Sequence, residues 1–93
     1  MVLGTIAWQL EIMGCHSLKE KRSVVKSLKD RLHQRFNVSV AETAYQELWQ
    51  RAELTACVVA GERRHAESVL DSADRLVASE YRARVIETRR EFF

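Results

Sequence analysis

The chain has no proline and only three glycines in 93 residues (Gly4, Gly14 and Gly61). Nothing in it punctuates a linker between units, and the length suits one domain, residues 1–93. The two cysteines, Cys15 and Cys57, cannot build a disulfide framework, so reduced thiols and a cytoplasmic location are the expectation. No apolar run approaches the ~20 residues of a membrane span, and no basic leader precedes an apolar segment, so neither a membrane nor a signal peptide is expected. The signatures of many enzymes are missing too. Neither G-x-x-x-x-G-K-[ST] nor G-x-G-x-x-G occurs, and G-x-S-x-G is absent. No catalytic residue and no cofactor are therefore predicted.

What is present is regular. Residues 2–12 alternate, with Val2, Ile6, Trp8, Leu10 and Ile12 on one parity, which predicts a long half-buried strand. Ser17 and Glu20 have the spacing of a capping box, and Val24, Val25, Leu28, Leu32 and Phe36 fall on one helical arc. A helix over 18–36 follows. Residues 38–42 and 52–60 predict two more strands, the latter apolar enough to be central. Residues 45–50 connect them, with a helical turn as an option. Ala66, Val69, Leu70, Ala73, Leu76 and Val77 line a second helix over 62–79, and 82–91 closes the chain as a strand.

The order βαββαβ predicts a ferredoxin-like α+β sandwich. One antiparallel four-stranded sheet, order 4-1-3-2, would carry two helices on one face. The start of the first helix and the 43–51 connection then share one end. Arg63, Arg64, Arg31, Arg35 and the Arg89-Arg90 pair are expected to share the other.

The same fold hosts acylphosphatases and small copper chaperones, and the first loop tests both. Met13-Gly14-Cys15-His16-Ser17 lacks the arginine that would cradle a phosphate. Leu18 stands where a second thiol would complete a soft-metal pair, so no metal site is expected. Cys57 reads as a small apolar filler.

Charge is the informative feature. The chain totals +2, yet residues 18–36 hold seven cations against Glu20 and Asp30, a net +5. Lys19, Arg22, Lys26, Lys29 and His33 recur at intervals of three and four, which sets them on one flank of the helix as a stripe ~21 Å long. Such a row suits a phosphate backbone, and it also suits a solvated helix face. Arg63 and Arg64 open the second helix, where they oppose its dipole unless they hold an anion or are neutralised by Glu62 and Glu67. Tyr45 and Trp49 in the connection are candidates for stacking on unpaired bases, with Trp49 as a core plug the alternative. The outward parities of the first and third strands carry no aromatic and include Glu11 and Glu53, so the sheet face is not an RNA platform. Phosphate contacts of this kind carry no DNA specificity.

The runs Gly14-Cys15-His16-Ser17-Leu18-Lys19-Glu20-Lys21-Arg22, Arg35-Phe36-Asn37-Val38-Ser39-Val40-Ala41-Glu42 and Leu48-Trp49-Gln50-Arg51-Ala52-Glu53-Leu54 resemble the small bacterial YlxP-like family. The resemblance covers essentially the whole chain. Ala44-Tyr45 departs from it, since an acidic residue or glycine followed by histidine is expected there. The resemblance implies a ferredoxin-like fold, no established catalytic residues, and association with the ribosome or RNA from the neighbourhood of the family's genes. Three functions therefore stand: a non-enzymatic accessory protein on structured or ribosomal RNA, a homodimeric protein–protein module using the open sheet face or an edge strand, and an ACT-like small-ligand regulator with Gly14 in its loop.

Overall fold

A computed structural model describes all of residues 1–93. The elements are β1 (Val2–Ile12), α1 (Leu18–Arg35), β2 (Ser39–Ala44), β3 (Arg51–Ala60), α2 (Arg63–Ala78) and β4 (Ala83–Phe92). The sheet is antiparallel with order β2-β3-β1-β4, the ferredoxin-like arrangement. Twenty apolar residues form one core between the sheet and the two helices.

β1 follows the parity of its sequence. Ile6, Trp8, Leu10 and Ile12 are buried, and the intervening residues line the open face. Trp8 is fully buried, and its indole N–H donates to Asp74 of α2 at 2.9 Å, so the core keeps a tryptophan without leaving its donor unpaired. Gly4 permits a close approach of α2 and of Phe92. A methyl there would meet Phe92 at 3.1 Å, Leu70 at 3.3 Å and Ala66 at 3.4 Å.

α1 starts where the capping box puts it. The Ser17 side chain accepts from the Glu20 amide at 3.1 Å, and the Glu20 carboxylate accepts from the amide of His16, one residue earlier than in the reciprocal box. The helix stops at Arg35, with Phe36 as an extended cap packed against the core. The 45–50 connection contains no helical turn. It is a tight turn closed by the Leu48 amide on the Tyr45 carbonyl, and Tyr45 adopts a positive φ of 64°. β2 runs on to Ala44, past its expected end at residue 42, with an irregularity between Glu42 and Ala44 that keeps it paired with Glu53. Cys15 is core, whereas Cys57 is half-buried on the open face and fills no interior space.

One expectation of layout is overturned. Arg31 and Arg35 do not share an end with Arg63 and Arg64. Arg31 reaches Glu80, beyond the C-terminus of α2, and Arg35 shares a groove with Ser72, Arg75, Leu76 and Ser79. Arg63 lies at the other end of α2, over the Phe92 ring. Along α2, Arg63 and Ser72, the first α2 residue of the Arg35 groove, are about 14 Å apart. The cause is that β2 begins opposite Cys57, so residues 58–60 of β3 have no β2 partner and α1 ends well short of that end of the sheet.

Candidate functional site

The basic flank of α1 forms on local geometry alone. Apolar Val24, Val25, Leu28 and Leu32 face the core, which turns Lys19, Arg22, Lys26 and Lys29 outward. The flank also carries a carboxylate. Asp30 pairs with Lys26 at 2.7 Å, and that hydrogen bond, helped by the charges of Lys26, His33 and Lys29, holds its carboxyl below the usual range. Arg22, Lys26, Lys29 and Asp30 line a shallow groove that also contains Glu42 of β2. Lys19, Arg22 and Lys29 make none of the molecule's ion pairs, so these three carry the uncompensated charge of the flank.

The remaining pair of predicted anion ligands divides in the same way. Arg63 is committed to Glu67 at 3.1 Å and to the face of Phe92, with the guanidinium carbon 4.4 Å from the ring centre. Arg64 is exposed and unpaired. The helix start has no acidic residue in its first turn and no side-chain cap. Neither arginine joins the α1 flank.

The aromatics of the connection are also distinct. Trp49 is 50% exposed, with Leu48 beside it, so it does not plug the core. Tyr45 offers less. The Arg51 guanidinium already lies over its ring, 4.9 Å from the centre. The connection is tied to the start of α1 by Lys21, a residue that spacing alone leaves unremarkable. Its side chain is 1% exposed, its ammonium meets Glu42 at 2.8 Å, and it donates to the Tyr45 carbonyl. Burying a lysine demands this kind of satisfaction. The consequence is positional, because Lys21 brings Arg22, Tyr45 and Trp49 to one end of the molecule. The Ile12 amide, bonded to the Gln50 carbonyl, and the Met13 amide, bonded to the Arg82 carbonyl, bring the first loop and the α2–β4 turn to the same end.

A second arrangement that periodicity could not reveal is centred on Glu80. Its side chain is 3% exposed and receives Arg82 through Nε, Nη2 and the backbone amide, each at 2.9 Å, together with Arg31. Arg82 is the main cause of a carboxyl pKa lowered to about 2. The fork staples the α2–β4 turn to α1 and has the geometry of a structural clamp.

Residues 3–90 match a family model described as a protein of unknown function (DUF503). The chain belongs to this family. A relative, the uncharacterized protein YlxP of Bacillus subtilis (strain 168), is 36% identical over 69 residues, which are 74% of this chain and 75% of that one. Among solved structures, a cofactor-independent oxygenase from Streptomyces nogalater, SnoaB, aligns with a TM-score of 0.51 at 14% identity, covering 98% of this chain and 90% of that one. The C-terminal domain of a cyclometallase involved in the synthesis of the NPN cofactor of lactate racemase aligns with a TM-score of 0.50 at 8% identity, covering all of this chain and 55% of the other. At such identities these two likenesses bear on the family's fold alone. No helix is long and apolar enough to cross a membrane.

Proposed function

We propose that the protein is a non-enzymatic RNA-binding accessory protein that grips structured RNA, ribosomal RNA in the first instance, through the flank of α1 and the end of the molecule where that flank begins. The observation that carries this reading is the placement of half-exposed Trp49 at the same end as the unpaired cations Lys19 and Arg22. Lys19, Arg22 and Lys29 contact phosphates. Lys26 contributes less because Asp30 already holds it. Trp49 stacks on an unpaired base, a contact worth about 1–3 kcal/mol. Arg63 and Arg64 lie outside this footprint.

Isolated small ribosomal subunits titrated with the protein across a salt series test the reading. Three phosphate contacts predict a log–log salt slope of about −2 to −3. Charge reversal of Lys19, Arg22 and Lys29 together weakens binding and flattens the slope, while Arg63→Ala leaves both alone. A folded triple variant that binds like the parent refutes the proposal.

A second reading, docking on a protein, is favoured by four exposed apolar side chains at that same end: Met13, Leu48, Trp49 and Tyr81. Binding that ignores salt but is lost in Trp49→Ala selects it.

A further inference from the structure

β4 is an edge of the sheet, with β1 as its one strand neighbour. It is ten residues long, against six for β2 at the other edge. Leu3 and Phe93 exchange both backbone hydrogen bonds, so Phe93 turns its amide and carbonyl towards β1. Alternation then turns those of Thr88, Arg90 and Phe92 away from β1, along the free edge. The β-bulge between Gln9 and Leu10 shifts the alternation by one residue, and beyond it Val85 takes the outward position. Such a row of unpaired backbone groups is a template for a further strand.

Proteins blunt exposed edges with charge, and β4 is charged. Its charges alternate in sign. Arg84, Glu87, Arg89 and Glu91 are all exposed and stand on the open face, opposite Glu11, Gln9, Ala7 and Thr5. Glu87 makes no ion pair within the chain. Arg89 reaches Glu91 only at 3.7 Å, and Arg84 holds Glu11 at 3.0 Å. Arg90, on the helix side, is already neutralised by Asp71 at 2.7 Å.

A second copy laid antiparallel along this edge, with a two-fold axis through Thr88, matches both backbone and charge. Thr88 and the partner's Thr88 exchange their outward N–H and C=O groups. Glu87 then faces the partner's Arg89, and Arg89 faces the partner's Glu87, in the close pairs that flank a hydrogen-bonded one. Past the bulge, the outward groups set Arg90 against the partner's Val85 and Glu91 against the partner's Arg84. Every pair of charges on the open face is thus opposite in sign. Moving the axis one residue either way puts Glu87 or Arg89 opposite itself, so charge specifies the register. We propose that two copies of the chain join through β4 in this register, making one continuous sheet in which Glu87 of each copy pairs with Arg89 of the other. α1 packs beside β2, at the far edge, so its basic flank stays open in the dimer and the proposal is independent of the RNA reading.

Sedimentation velocity of the full chain from micromolar to near-millimolar concentration tests it. A reversible monomer–dimer equilibrium is expected. Glu87→Arg and Arg89→Glu, each alone, set like charges across the axis and raise the dimer dissociation constant roughly tenfold or more. Mixed in equal amounts, the two variants recover dimers, because the arginines of one face the carboxylates of the other; misfolding cannot mimic that recovery. Thr88→Pro removes an amide that bonds nothing within the chain, so it keeps the circular dichroism of the parent and abolishes dimers. A chain that stays monomeric throughout overturns the proposal. So does a dimer that survives Thr88→Pro or either charge reversal, which places the contact on another surface, or a mixture that associates no better than each variant alone.

Discussion

Glu80→Gln should destabilise the fold strongly at neutral pH and progressively less as the pH falls through the acid range. The carboxylate is nearly excluded from water and is held chiefly by Arg82, with Arg31 on its other side. Its pKa falls from 4.5 to about 2 on folding. At about 1.36 kcal/mol per decade, that is about 3 kcal/mol of stability at pH 7. Arg31 and Arg82 are 37% and 34% exposed, so both regain water when the carboxylate is removed, and a measured loss of about 2–3 kcal/mol is expected. The sign follows from the direction of the shift. A depressed carboxyl pKa contributes stability that is complete above 4.5 and is lost as the pH falls towards 2, leaving about 1.4 kcal/mol at pH 3. Urea unfolding of the parent and Glu80→Gln at pH 7, 5, 4 and 3 measures the gap directly. A gap that stays constant across this range refutes the reasoning, and a gap under about 0.5 kcal/mol at pH 7 would mean that the carboxylate is solvated.

Lys21→Met should cost about 3 kcal/mol in urea unfolding, because it strands Glu42 beside α1 and releases the Tyr45 carbonyl; adding Glu42→Leu should recover most of that loss, since an apolar pair can replace a buried ion pair. Gly4→Val should cost about 1–3 kcal/mol by forcing α2 and Phe92 away from β1, with Gly4→Ala at the low end of that range in thermal melts.

The strand and helix plan was legible in residues with strong local signals. The parity of residues 2–12 assigned Trp8 to the core, and the Ser17–Glu20 spacing located the start of α1. The pairing of Lys26 with Asp30 was equally local, four residues apart on one helix, and the one-sided count of cations obscured it. Trp49 was ambiguous because neither helical nor strand periodicity applies in a tight turn, so nothing local says which side of the chain is inside.

The sequence by itself determined the order of elements, the buried face of each, and the excess of positive charge on α1. These depend on periods of two and 3.6 residues, which neighbours along the chain enforce. The tertiary structure alone decided how far α1 extends against α2, and with it the separation of Arg31 and Arg35 from Arg63 and Arg64. It also decided that Lys21 is interior, that Glu80 gathers two arginines, and that Gln9 of β1 bonds Glu53 of β3. Lys21 with Tyr45, Arg31 with Glu80 and Gln9 with Glu53 each join residues more than twenty positions apart. Their approach is set by strand register and by where β2 begins, quantities that no local pattern encodes.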